Sequence, residues 1–267
     1  MGFPRGALWL IGCGNMGGAM LHRWIAAGLD PARVTVITRS GKGAPEGVRS
    51  LTRLPDEEAP ATLMLALKPQ QVDAAQALLA PLRTAPKLLL SILAGVDHSA
   101  LSQRFAAETI VRAMPNLPVA IGKGVTSLYT VGAPHDAISA AEAFAAPLGH
   151  HEWIADEAHF DAVTALAGCG PGFVFRFADA LAKAGAALGL PADQAARLAI
   201  ATLEGAAIMA ADADVSPAVL ADRVASPGGS TREGMNVLDR NDALVSLLTD
   251  TLAASERRNG EMAAAAR

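Results

Sequence analysis

The chain has 267 residues, 51% of them hydrophobic, and a formal net charge of −4. That is enough material for one large domain or two modest ones with a real core, and an isoelectric point near 5.9 excludes the basic stripe of a nucleic-acid binder. No apolar run reaches the roughly 18 residues of a membrane span, and two distant cysteines, Cys13 and Cys169, give neither a zinc site nor a disulfide framework and point to a reducing, cytoplasmic setting.

From the N-terminus, Leu8-Trp9-Leu10-Ile11 reads as a buried strand that feeds into Gly12-Cys13-Gly14-Asn15-Met16-Gly17. The following Gly18-Ala19-Met20-Leu21-His22-Arg23-Trp24-Ile25 is helical in composition and amphipathic in spacing. Arg5 before the apolar run imitates a signal peptide, but the glycine motif accounts for the run better and no cleavage site follows it. In a strand–G-x-G-x-x-G–helix unit the first glycine permits the tight turn. The second lets the backbone approach a pyrophosphate, and the third lets the helix lie close on the sheet. The unpaired N–H groups at the helix start then hold the anion. With strand before and helix after, dinucleotide binding is favoured over a bare glycine-rich turn.

A second strand is predicted over 34–38, where β-branched residues alternate. An NAD site usually ends this strand in a carboxylate for the ribose 2′-OH; here it ends Thr38-Arg39-Ser40-Gly41-Lys42. Cations and hydroxyls suit a 2′-phosphate, so NADP(H) is expected, with NAD(H) open as a second cofactor. The alternative is a solvated basic loop.

A short third strand is expected near Val48, then strands over 62–67, 87–92, 109–114 and 125–129, with a helix over 71–82 and another capped by Asp97 or Ser99. His150-His151 is expected in a surface turn. Strand and helix alternate as in a doubly wound, mostly parallel sheet. Beyond Asp156 no strand is predicted. Helices are expected over 157–166, 172–188, 192–211, 217–224 and 242–261, punctuated by Pro191, Pro217 and Gly189. The fold class is therefore α/β: a Rossmann-type sheet domain over 1–156, then an all-α domain over 157–267. Gly185, Gly205 and alanines at four-residue spacing (Ala178, Ala182, Ala186) mark close helix contacts, and a dimer interface accounts for them well.

One loop in the helical half is out of character: Ser226-Pro227-Gly228-Gly229-Ser230-Thr231. Consecutive unpaired backbone N–H groups, three hydroxyls and a helix start near Ser230 or Thr231 would suit a small carboxylate. A helix–turn–helix linker with hydroxyl caps is the competing reading. Acid–base candidates are scarce. The one tyrosine, Tyr129, has no lysine four residues on, the Gly168-Cys169-Gly170-Pro171 segment lacks a catalytic lysine, and no Ser/His/Asp or metal constellation appears. Imine reduction fits, because a protonated C=N is already electrophilic and orientation supplies most of the rate.

At this point the chain resembles the pyrroline-5-carboxylate reductases, from Leu8 to about Glu261. The resemblance rests on the 11–17 motif, Leu67-Lys68-Pro69, Ala94-Gly95-Val96, Arg112-Ala113-Met114-Pro115-Asn116-Leu117-Pro118 and Ala165 through Pro171. It is most specific at Val224 through Thr231, followed by Val237-Leu238-Asp239. It implies NADPH-dependent reduction of 1-pyrroline-5-carboxylate to L-proline, the last step of proline synthesis, by a homo-oligomer of interlocked dimers whose subunits complete each other's active sites. NADP(H) would be lined by Ile11, Gly12, Cys13, Gly14, Asn15, Met16, Arg39, Ser40, Ala66, Leu67, Lys68, Pro69, Ile92, Leu93 and Ala94. Ser226, Gly228, Gly229, Ser230 and Thr231 would bind the substrate carboxylate, and the Thr231 hydroxyl would bond the ring nitrogen and deliver a proton. The chain departs from the family pattern at Arg223, Cys169 and Arg232-Glu233. A six-membered-ring imine reductase and a silent NADP-binding regulator are the alternatives; no nucleic-acid, membrane or metal partner is expected.

Overall fold

A computed structural model describes residues 2–56 and 59–265. The chain forms two compact units. The first holds the residues up to Cys169 together with the segment from Ser255 onward, and the second is Gly170–Ala254.

The first unit is built on eight strands among the described residues: β1 (Leu8–Ile11), β2 (Val34–Ile37), β3 (Arg49–Leu51), β4 (Thr62–Leu65), β5 (Leu88–Ser91), β6 (Thr109–Pro115), β7 (Gly124–Thr130) and β8 (Gly149–Trp153). Their order across the sheet is β3-β2-β1-β4-β5-β6-β7-β8. The pairs from β3 to β6 are all parallel. Every residue of β1, β2, β4 and β5 is buried, as expected for parallel strands covered on both faces, which is why they read in sequence as continuous apolar runs.

Period-two alternation sends their side chains into two cores. Leu8, Leu10, Val34 and Met64 meet Trp24 of α1 (Asn15–Ala26) on one face. Trp9, Ile11, Leu63 and Leu65 meet α2 (Val72–Leu79) and α3 (His98–Arg104) on the other. Asp97, not Ser99, caps α3, accepting from the Ala100 N–H at 2.7 Å.

Two expectations are corrected in this unit, and one helix is added to it. His150 and His151 lie in strand β8, not in a turn; the strand's polar residues hid it, because it is a half-exposed edge. A further helix, α4 (His135–Ala145), covers the first core, with Phe144 edge-on to Trp24 at 5.2 Å and its carbonyl accepting from Trp24 Nε1 at 2.7 Å. The helix expected over 157–166 is a 3-10 turn at Glu157–His159, a single α turn α5 (Phe160–Val163) and a π-helical turn at Thr164–Gly168. Asn116 Nδ2 donates to the Ala167 carbonyl at 2.9 Å, satisfying a carbonyl at the end of that stretch. The residues 157–169 also sit with the sheet unit, where Phe160 is buried. Compact packing therefore breaks later than the 156/157 boundary read from the change in sequence texture.

The second unit contains α6 (Gly170–Ala187), α7 (Ala192–Asp212), α8 (Pro217–Val224) and α9 (Ser230–Asp239). It also holds the first part of α10 (Ala243–Ala265), whose last turns belong to the first unit. α6 and α7 approach closely where a Cβ on Gly185 would stand 3.5 Å from that of Ala195.

Candidate active site

The sheet changes direction of winding between β1 and β4, which flank one another while their connections run to opposite sides. Open α/β sheets bind ligands at such a switch point, beyond the carboxyl ends of the strands. There the chain leaves β1 through Gly12, at φ +91°, whose N–H donates to the Ile37 carbonyl at 2.9 Å. A Cβ on Gly12 would lie 2.5 Å from the Ala66 carbonyl oxygen, and one on Gly17 would lie 2.8 Å from Ala66 Cβ. Gly14 differs. It is the N-cap of α1 with no side-chain cap, and a Cβ there would meet no protein atom within 4 Å. The first and third glycines are required by the protein's own packing, whereas the second fronts open space at a helix N-terminus. This is a cradle with the form a pyrophosphate needs.

The cleft beside it has a volume of about 740 Å³. Of the expected cofactor residues, Ile11, Gly12, Cys13, Arg39, Ser40 and Leu67 line it. One wall carries Thr38, Arg39, Ser40, Lys42 and Thr52, and the other Leu67, Gln71, Ala74 and Leu78. Among the described residues no carboxylate forms an ion pair with Arg39 or Lys42. A lining that carries cations and hydroxyls beside apolar residues fits an adenosine 2′-phosphate.

Asn15 and Met16 form the start of α1. Ala66 continues β4, its N–H bonded to the Ile11 carbonyl at 2.9 Å, and Lys68 leads into the 3-10 turn Pro69–Gln71. Ile92, Leu93 and Ala94 follow β5 and do not line this cleft; the Leu93 side chain lies in the second core, which leaves its backbone as the part able to face a ligand. Thr52, Gln71, Ala74 and Leu78 carry no motif. The one sequence signal for the last three is their spacing on a single helical face. Burial pushes the Cys13 thiol up, and Sγ donates to the Gly43 carbonyl at 3.5 Å, both of which disfavour the thiolate.

In the second unit, residues 226–229 form a tight turn in which the Gly229 N–H donates to the Ser226 carbonyl at 2.9 Å and Gly228 has φ +69°. The expected run of unpaired N–H groups is thus shorter by one: Gly229 is used by its own turn. Gly229 is the N-cap of α9 and offers no side chain, and its carbonyl accepts from the Glu233 N–H at 3.2 Å, which opens the helical ladder. The N–H groups of Ser230, Thr231 and Arg232 precede it and have no intrahelical acceptor. Ser226 and Thr231 are exposed. Arg232 Nη2 reaches back over the turn to Asp222 Oδ1 at 2.7 Å. Among the described residues no cluster of His, Cys, Asp or Glu could hold a metal ion.

A family model described as pyrroline-5-carboxylate reductase dimerisation matches residues 157–262, and one described as NADP oxidoreductase, coenzyme F420-dependent, matches 8–95. Pyrroline-5-carboxylate reductase from Glycine max is 34% identical over 259 residues, covering 94% of each chain. That of Pseudomonas aeruginosa is 33% identical over 98% of each. Among solved structures, the Coxiella burnetii pyrroline-5-carboxylate reductase superposes with a TM-score of 0.86 at 29% identity, over 97% of this chain and 98% of that one. The Plasmodium falciparum pyrroline carboxylate reductase, solved with NADP bound, shares the fold at a TM-score of 0.81 and 24% identity, over 98% of this chain and 100% of that one.

Proposed function

The chain belongs to the pyrroline-5-carboxylate reductase family, and from that premise we propose how its own residues carry the family's reaction. The chain is an NADP-linked oxidoreductase that reduces 1-pyrroline-5-carboxylate to L-proline. When bound, the reduced nicotinamide supplies a hydride to the imine carbon, and a proton completes the amine at the ring nitrogen. The protein has to bind, orient and protonate.

Gly12, Gly14 and the start of α1 take the pyrophosphate, and Arg39 and Ser40, with Lys42 and Thr52 beside them, take the 2′-phosphate. The residues 66–69 and 92–94 contribute backbone along the rest of the cofactor. The N–H groups of Ser230, Thr231 and Arg232, at the positive end of the α9 dipole, hold the substrate carboxylate. Ser226, Gly228 and Gly229 shape the turn that presents them. The Thr231 hydroxyl bonds the ring nitrogen and delivers the proton. The helical unit supplies the surface on which a second copy docks, and the protein works in the cytoplasm, where Cys13 and Cys169 remain free thiols.

The observation that carries this reading is the cradle at Gly14 opening on a cleft with a cationic wall. Its test is oxidation of NADPH with 1-pyrroline-5-carboxylate beside the six-membered analogue. Turnover confined to the five-membered ring is expected; turnover confined to the larger ring would move the chain to a different imine, and binding without turnover would leave a sensor. Thr231→Ala is expected to lower turnover about 100-fold, the usual scale for a lost proton donor, with NADPH affinity unchanged. Unaltered turnover removes Thr231 from the mechanism.

A further inference from the structure

The candidate cofactor loop after β5 is tied to a carboxylate far away in sequence. Arg112, in the middle of β6, has a side chain 6% exposed, with its guanidinium 3.9 Å from the centroid of the Phe160 ring. A cation this deep needs a partner, and Glu157 Oε1 supplies it at 2.5 Å from Nη1. Charge neutralisation alone would ask nothing more of Glu157. Yet the same oxygen accepts the backbone N–H of His98, the first residue of α3, at 2.7 Å. That N–H belongs to a helix start with no intrahelical acceptor of its own, and a carboxylate there also complements the helix dipole.

The loop between β5 and α3 is therefore fastened at both ends. At its beginning the Ile92 N–H donates to the Leu65 carbonyl at 3.1 Å and the Leu93 N–H to Ser91 Oγ at 3.3 Å. At its end Glu157 holds the His98 N–H, while the His98 ring stands edge-on to Tyr129 at 6.1 Å. Between them Gly95, at φ +73°, passes so close to α10 that a Cβ would lie 3.0 Å from Ala263 Cα. One carboxylate oxygen thus joins the sheet, the cofactor-side loop and the turn that opens the segment matched by the dimerisation model.

We propose that Glu157 is a positioning residue for hydride transfer: by accepting from Arg112 and His98 together it sets the loop at 92–97 against the nicotinamide end of the cofactor. The proposal rests on reading Ile92, Leu93 and Ala94 as cofactor contacts. Misplacement of a reacting group by about 1 Å costs on the order of 100-fold in rate, so slackening the loop acts on the chemical step more than on cofactor affinity, most of which resides in the cleft.

The test compares the amide pair Arg112→Met/Glu157→Gln, which leaves no buried charge and whose side-chain oxygen still accepts the His98 N–H, with the double variant Arg112→Met/Glu157→Leu. The double variant removes the ion pair without leaving a buried charge, yet deprives the His98 N–H of its acceptor. Amide hydrogen exchange at residues 93–98 and single-turnover hydride transfer, with saturating NADPH and 1-pyrroline-5-carboxylate, are measured on both. The expected result is faster exchange at 93–98 and hydride transfer about 10-fold slower or more in the double variant, both restored in the amide pair Arg112→Met/Glu157→Gln. If the double variant does not fold, Glu157→Asp, which keeps the charge but withdraws the oxygen from His98, carries the same measurements. Unchanged exchange overturns the positioning role and leaves the cofactor reading of the loop intact. Faster exchange with unchanged hydride transfer overturns that cofactor reading, and the proposal with it. Protection of 93–98 by NADPH in the unsubstituted protein tests the loop reading alone.

Discussion

Gly12 and Arg39 line the same cleft and answer to different physics. At Gly12 a positive φ and a carbonyl oxygen 2.5 Å from any Cβ coincide, so no other residue fits and the requirement is internal to the protein. Nothing in the fold requires Arg39. It is exposed, lines the cleft, and makes no ion pair among the described residues. A guanidinium in that setting is worth most to a ligand phosphate. Arg39→Ala is expected to weaken NADPH binding about 10- to 100-fold, a charge-assisted contact of ~1.5–3 kcal/mol, with NADH binding nearly unchanged. Titration of both cofactors by fluorescence decides it, and equal losses would sink the 2′-phosphate assignment.

Elements meet at the same site under a second set of constraints. α1 lies against the end of β4 through Gly17, where a Cβ would stand 2.8 Å from that of Ala66, a short buried side chain just past the strand that cannot swing aside. Gly17→Ala would gain about 1 kcal/mol of helix propensity, but overpacking costs about 1–3 kcal/mol, so the net effect is destabilising. A lowered melting temperature with weaker NADPH binding is expected, since the helix start is the proposed anion site; a raised melting temperature would show that α1 moves freely.

At this scale the sequence was legible where pattern is local. β1, β2, β4 and β5 announced themselves as apolar runs because both faces of each are covered. β8, α4 and the π-helical turn at Thr164–Gly168 did not. The strand Gly149–Trp153 is polar because it is an edge. α4 is rich in alanine without a strong apolar stripe. The π-helical turn ends in a carbonyl held by Asn116, 51 residues away.

On the scale of the whole molecule, the large apolar side chains that are fully buried all lie in the first unit among the described residues. No residue of α6 is buried, and Phe175, Leu198, Ile200 and Ile208 are each at least half exposed. Extended apolar faces of that kind mark an interaction surface. The family model matching this segment is a dimerisation model, so a second copy of the chain is the expected occupant. Ile200→Glu combined with Ile208→Glu is expected to lower the sedimentation coefficient toward that of the monomer and to abolish turnover. A sedimentation coefficient unaffected by both charges would place the interface elsewhere.

The sequence by itself determined the parts whose physics is contained in a few consecutive residues. These are the strand–glycine–helix cradle at 12–17, the cationic end of the second strand at Arg39 and Ser40, the glycine turn before α9, and the helices punctuated by Pro191 and Pro217. Only the tertiary structure decided what depends on residues distant in the chain. It made β7 antiparallel to β6, completed the cleft with Thr52 and one face of α2, and carried 157–169 into the sheet unit. It also brought Glu157 to Arg112 and to the His98 N–H, 45 and 59 residues away. Such meetings leave no periodicity in the sequence, because a hydrogen bond or a close approach specifies a partner only after the chain has folded around it.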